Sequence, residues 1–317
     1  MFSVNATAYQ HILWAGVIGD ALGVPVEMQT RDQFQITDMQ GGGTWQQPAG
    51  SWSDDTSFTL CLVDSLTHQT GVDGLMTNAV AYLNQGQWTP NGQPFGVGRT
   101  CRAAVERYQQ QVPALQCGPT AETANGNGAL MRVAPLALAL LPEADLNQRL
   151  AIYQAYTVLT HGHLRAVFGN SLYLEILYHL LQGQPLPTAM ANTWQVLKKQ
   201  SQFATEVPTY RPLFEADLAQ TSREKIPSSA YVVATLAAAL WVNLQPGDFT
   251  TTVLRAVNLG SDTDTVASVA ATIKACCQPQ EALPIKWQTV LQNQPLLQAT
   301  FDGLIQKLEA GDWYVRV

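Results

Sequence analysis

Lysine is missing from the first part of the chain, where Lys198 is the earliest, and the 317 residues carry a formal charge of -7. No basic stripe exists that could follow a phosphate backbone, so nucleic acid is a poor candidate partner. The five cysteines, Cys61, Cys101, Cys117, Cys276 and Cys277, form no CxxC pair and are odd in number. That excludes a disulfide scaffold and fits a reducing compartment, with the thiols serving as small buried hydrophobes. Long apolar runs are also missing. The longest, Ala230 to Val242, is too short to span a bilayer, and the N-terminus has no basic leader, so the expected location is cytoplasmic. What is present is a composition of 46% hydrophobic and 13% charged residues, which excludes general disorder and predicts a large core.

Alternating β-branched runs are absent too, apart from a short candidate strand in the tail, Trp313 to Val317. Apolar residues instead recur at helical spacing: Phe58, Leu62 and Leu66 mark one face, and Val266, Val269, Ala270 and Ile273 another. Further helices are expected near 8–22, 73–84, 97–111, 129–141, 146–160, 163–182, 187–201, 228–243 and 295–309, separated by prolines. The fold class is therefore all-α. Punctuation is even and no long Pro/Gly/Ser linker interrupts it, so residues 1–317 read as one domain.

Two segments crowd hydroxyls and carboxylates at the head of an expected helix: Ser53-Asp54-Asp55-Thr56 and Ser261-Asp262-Thr263-Asp264-Thr265. Either alone reads as an N-cap with acids complementing the helix dipole. A cap needs only one such group, however, and packed carboxylates repel unless a cation or proton lies between them. Two crowded clusters in one chain suggest that they meet around shared cations. Oxygen-only ligands favour Mg²⁺, with Mn²⁺ next, and the four carboxylates match the charge of two divalent ions. Just upstream, the glycine-rich stretch 41–50 reads as a mobile loop beside a site or as a plain surface connection. The glycines of Gly16-Val17-Ile18-Gly19-Asp20-Ala21-Leu22-Gly23 imply that something approaches that helix closely. Asp20 sits where the dipole disfavours an acid, which marks a site or a buried carboxylate holding a loop. Glu27 reads on its own as an exposed loop carboxylate.

In this order, Gly19-Asp20-Ala21-Leu22-Gly23 with Glu27, Ser53-Asp54-Asp55-Thr56, Asn125-Gly126-Asn127-Gly128-Ala129-Leu130-Met131-Arg132 and Gly260-Ser261-Asp262-Thr263-Asp264-Thr265 resemble the ADP-ribosylglycohydrolase family. The resemblance spans about residues 10 to 277. It implies a compact orthogonal helical bundle with a binuclear Mg²⁺ or Mn²⁺ cleft. By motif, Ser53, Asp54, Asp55, Asp262, Asp264 and Thr265 would be metal ligands and Glu27 the catalytic acid or base. Gly96, Gly98, Asn127, Gly128 and His161 would lie on the substrate side, although His161 equally reads as a structural histidine at a helix end. Two positions depart from the pattern: Ser53 stands where Thr is common, and Ser261 where a second glycine is common.

The implied reaction is hydrolysis of the glycosidic bond between ADP-ribose and a modified target, releasing ADP-ribose. An ADP-ribosylated arginine on protein is the expected substrate, with O-linked (serine), nucleic-acid or small-molecule conjugates as alternatives. A non-catalytic ADP-ribose-binding module is the rival class. A metal phosphohydrolase would normally bring histidine ligands, and neither acidic cluster contains one.

Overall fold

A computed structural model of the chain describes residues 5–312 and 314–317. Its α-helices are α1 (Ala6–Gly23), α2 (Asp54–His68), α3 (Gly71–Gln85), α4 (Arg99–Gln109), α5 (Ala134–Ala139), α6 (Leu146–Val158), α7 (Leu164–Leu181), α8 (Leu186–Leu197), α9 (Val207–Glu215), α10 (Val232–Leu244), α11 (Phe249–Val257), α12 (Thr263–Cys277), α13 (Ile285–Gln288) and α14 (Gln294–Glu309). The described residues contain no strand, only isolated bridges between Gly42 and Gln47 and between Gly126 and Tyr231. The all-α expectation holds. In the tail, residues 314–317 form no strand and Trp313 lies outside the described residues. Tyr156 Oη donates to the Arg316 carbonyl there at 2.7 Å.

Helix α12 forms the axis. Every residue from Thr263 to Cys276 is buried, and α1, α7, α10 and α11 pack around it. Such a helix takes its stability from neighbours on all sides, roughly 1.5–3 kcal/mol for each fully buried Val, Leu or Ile. The closest of these contacts is with α1. A Cβ at Gly19 would collide with the Ala267 carbonyl, and one at Gly23 with the backbone of Asp264. The glycines therefore trade helix propensity for an approach that sets the C-terminal end of α1 against the head of α12. On the other side α2 packs on α3, α5 and α14.

Two expected helices start later than their periodicity suggests. The 129–141 segment divides into a 3₁₀ turn, Leu130–Arg132, and α5, because Pro135 lacks the N–H that would continue one helix through it. In the 228–243 segment, residues 228–231 stay irregular before α10. The Ala230 carbonyl accepts from Asn127 N–H at 2.9 Å, and Val232 N–H donates to the Asn125 carbonyl at 3.0 Å, which fixes the 125–128 loop against the head of α10.

Candidate active site

The two acidic clusters cap two helices, and other parts of the chain hold each cap in place. Ser53 is the extended N-cap of α2. Its N–H donates to the Asp20 carboxylate at 2.9 Å, and Thr56 donates to the same group from its N–H at 3.0 Å and its hydroxyl at 2.6 Å. Asp20, disfavoured at the end of its own helix, thus lies at the positive end of α2. Burial pushes its pKa up to about 6, with hydrogen bonds from Thr56 and Ser53 opposing. At the other cap, Gly260 and Ser261 both take left-handed conformations, with φ of 75° and 67°. Ser261 adopts a conformation that glycine enters more cheaply. The turn allows Ser261 N–H to reach the Gln29 carbonyl at 2.8 Å while Met28 N–H reaches the Ser261 carbonyl at 2.7 Å. These two bonds lay the segment carrying Glu27 against the head of α12.

The clusters meet. Thr265 Oγ1 donates to Asp55 Oδ2 at 3.2 Å, across 210 residues of sequence, and Ser53 Oγ reaches the same oxygen at 3.2 Å. Asp55 Oδ1 is buried with no hydrogen-bond partner. Asp262 accepts from Asn127 Nδ2, which also donates to Thr235 Oγ1 at 2.8 Å. Carboxylate oxygens of Glu27, Asp262 and Asp264 all lie within 4.8 Å of one another. Asp54 faces the 96–98 turn: Gly98 N–H lies 3.4 Å from its Oδ2, and a Cβ on Gly96 would come within 2.9 Å of its Oδ1. Burial first, then neighbouring carboxylates, raise Asp54, Asp55 and Asp264 well above the ordinary range, and burial raises Asp262.

Glu27 is not the exposed loop carboxylate that its local sequence indicates. Only 8% of it is exposed, because the 41–50 loop folds over it. Trp45 Nε1 donates to Glu27 Oε2, and Thr44 Oγ1 donates to the Glu27 carbonyl at 2.6 Å. Burial pushes the Glu27 pKa up to about 7; hydrogen bonds with Trp45 and Asp264 oppose the shift and the Asp262 and Asp20 charges add to it. Sequence reasoning missed Trp45 and Thr44. The available signal was a lone tryptophan inside a glycine-rich stretch, where an indole has no structural reason to be unless it covers something.

The 125–128 loop closes another side. Its Gly128 carbonyl accepts from Arg132 Nη1, and Arg132 is fully buried. His161 lies under the same loop, 1% exposed, its Nδ1 2.9 Å from Thr160 Oγ1; a Cβ on Gly128 would come within 3.0 Å of its ring. The structure therefore brings Ser53, Asp54, Asp55, Asp262, Asp264, Thr265 and Glu27 together, sets Gly96, Gly98 and Asn127 directly against them, and puts His161 behind Gly128.

Comparison with known proteins shows the family of the chain. Residues 6–313 match the ADP-ribosylglycohydrolase family. The chain belongs to this family. It is 32% identical over 85% of its length to the ADP-ribosylarginine hydrolase Tri1 of Pseudomonas putida, covering 70% of that protein. It is 28% identical over 86% to the ADP-ribosyl-[dinitrogen reductase] glycohydrolase of Rhodospirillum rubrum, again covering 86% of the relative. A solved ADP-ribosylglycohydrolase-related protein complex superposes with a TM-score of 0.78 at 28% identity, over 95% of this chain and 98% of that one. The chain is thus an ADP-ribosyl glycohydrolase, a hydrolase on the expected helical fold. Among the described residues no helix is long and apolar enough to cross a membrane.

ADP-ribosylglycohydrolases depend on metal, and this cluster suits a divalent cation. Its donors are all hard oxygens, the carboxylates are crowded beyond what their hydrogen bonds offset, and the buried Asp55 Oδ1 lacks a partner.

His161 offers a test of its own. Burial, with Arg132 adding, pushes its pKa down to about 3. The depressed value means that the unfolded chain binds the extra proton below about pH 6.5. His161's share of stability is therefore complete above that pH and drains away as pH falls toward 3. Wild type should lose about 2 kcal/mol more stability than His161→Gln between pH 7.5 and 5, measured by urea denaturation. Equal losses in the two proteins would mean that the ring is protonated in the fold.

Proposed function

We propose that this chain cleaves the N-glycosidic bond between ADP-ribose and an arginine side chain of a protein, reversing mono-ADP-ribosylation, with two Mg²⁺ ions (or Mn²⁺) as cofactor. Residues 1–317 act as one domain in this reading, and the odd set of free cysteines favours the cytoplasm as its place of action. The observation that carries it is the contact between Thr265 and Asp55, which joins two acidic helix heads into one buried cluster beside Glu27. The arginine linkage is favoured by the Pseudomonas relative, an ADP-ribosylarginine hydrolase.

Ser53, Asp54, Asp55, Asp262, Asp264 and Thr265 would hold the metal pair. When bound, the ions supply concentrated positive charge that can orient a ribose diol and acidify a water. Hydrolysis at the anomeric carbon passes through an oxocarbenium-like transition state, so a proton must move to or from the reacting groups. Glu27 is suited to that transfer: it lies buried beside the cluster, and burial raises its carboxyl above the ordinary range toward neutral pH. Asn127 fixes Asp262 through its amide, and Gly96 and Gly98 leave room beside Asp54 for a substrate. Gly128 and the buried His161 behind it give the substrate side a rigid back wall.

The test is release of free ADP-ribose from an ADP-ribosylarginine protein with Mg²⁺, with Mn²⁺ and with chelator. Metal-dependent release is the expected result. Intact ADP-ribose binding without release would move the assignment to another linkage or to a binding-only module.

A further inference from the structure

Glu27 has only one side-chain N–H donor on its carboxylate among the hydrogen bonds of the described residues, and that donor comes from a loop that contributes nothing to the acidic cluster itself. We propose that Trp45 is a positioning residue for Glu27: its indole N–H fixes the orientation of the carboxylate for proton transfer, and its ring is held for that task by Phe95. This inference rests on the glycohydrolase reading above.

The geometry supports it from both ends. Carboxylates normally rotate about their terminal torsion with little preference, so a group that must deliver a proton to one atom gains from a fixed partner. Trp45 Nε1 binds Oε2 alone, which leaves Oε1 without that donor and distinguishes the two oxygens. A tryptophan in a glycine-rich loop would hold nothing if the loop were loose, but this one is tied at several points. Thr44 N–H donates to the Pro25 carbonyl at 3.2 Å, and the Gly42–Gln47 bridge closes the turn around Trp45. Asn91 Nδ2 donates to Gln47 Oε1 at 2.8 Å, and Gln292 Nε2 to the Ala49 carbonyl at 2.8 Å. The indole lies against Phe95, with centroids 5.9 Å apart at 46°. Phe95 is anchored in turn by Tyr82 Oη on its carbonyl at 3.4 Å, one residue before the Gly96 that faces Asp54. Trp45 thereby couples the segment bearing Glu27 to the 96–98 turn that faces Asp54.

A double-mutant cycle tests this. Trp45→Phe keeps a ring against Phe95 and deletes the N–H donor together with part of the indole. It should lower kcat about 10-fold at unchanged KM, with Mg²⁺ affinity by calorimetry and Tm both at wild-type values. In a Glu27→Gln background the same change should cost less than about 2-fold, because its effect passes through the carboxylate. Losses from the two substitutions that multiply, or a Trp45→Phe effect on KM or Mg²⁺ affinity in place of kcat, would overturn the proposal while leaving the glycohydrolase reading intact. A wild-type enzyme that releases no ADP-ribose would overturn that reading, and the proposal with it.

Discussion

Replacing Asp55 or Asp264 with alanine is expected to cut ADP-ribose release by on the order of 10³-fold or more, and to leave the fold intact. Deleting a buried polar side chain usually removes hydrogen bonds and lowers stability. Here the deleted group is one of several carboxylates that raise one another's pKa. Asp55 is raised by burial and by Asp20, Asp54 and Asp262, and Asp264 by burial and by Glu27, Asp55 and Asp262. Relief of that repulsion offsets the lost Ser53 and Thr265 contacts. Without metal, each variant should therefore melt at or above the wild-type temperature. With saturating Mg²⁺ the wild type should gain Tm and the variants should not, since stabilisation by a ligand needs a site to bind it. Loss of activity together with an intact Mg²⁺-induced gain in Tm would remove the residue from the proposed ligand set.

The cluster was legible in the sequence because a physical conflict marked it. Four acids at two helix heads exceed what capping requires, and the structure brings those heads together. The glycines of α1 were legible for a similar reason: they sacrifice helix propensity, and Gly19 and Gly23 are where α12 approaches. The unread parts depend on pairings that periodicity does not encode. Helix α11 buries Phe249, Thr252, Val253, Ala256 and Val257 at helical spacing, but its run of threonines and valine has weak helix propensity and obscures the pattern. Helix α9 carries Pro208 near its start and Pro212 within, so it reads as punctuation, and packing overrides that local preference. Asp20 presented a broken rule whose explanation lay in another helix. Glu27 presented nothing at all, because its burial comes from a loop that the chain reaches eighteen residues later.

Withdrawing the metal should give this protein an unusual pH dependence: in chelator its stability should fall as pH rises from 6.5 to 8. The sign follows from the direction of the shifts. A carboxyl whose folded pKa lies above its unfolded value near 4 contributes stability that is complete below that value and is lost as pH rises through the folded one. Asp20 at about 6 and Glu27 at about 7 lose theirs across or just below this window, and burial and neighbouring charges also raise Asp54, Asp55 and Asp264 well above their ordinary range. Each group still titrating contributes a slope of about 1.4 kcal/mol per pH unit. His161 acts in the opposite direction, but only below about pH 6.5, so it does not mask the carboxylates in this window. A divalent cation replaces the protons as counter-charge, so Mg²⁺ should flatten the profile, and its stabilising effect should be larger at pH 8 than at pH 6.5. Melting temperatures at both pH values, with chelator and with Mg²⁺, measure the four corners. A metal-free profile that is flat or rises with pH would mean that the acidic heads relax apart when the ions leave, and that the cluster is assembled by metal instead of being preformed for it.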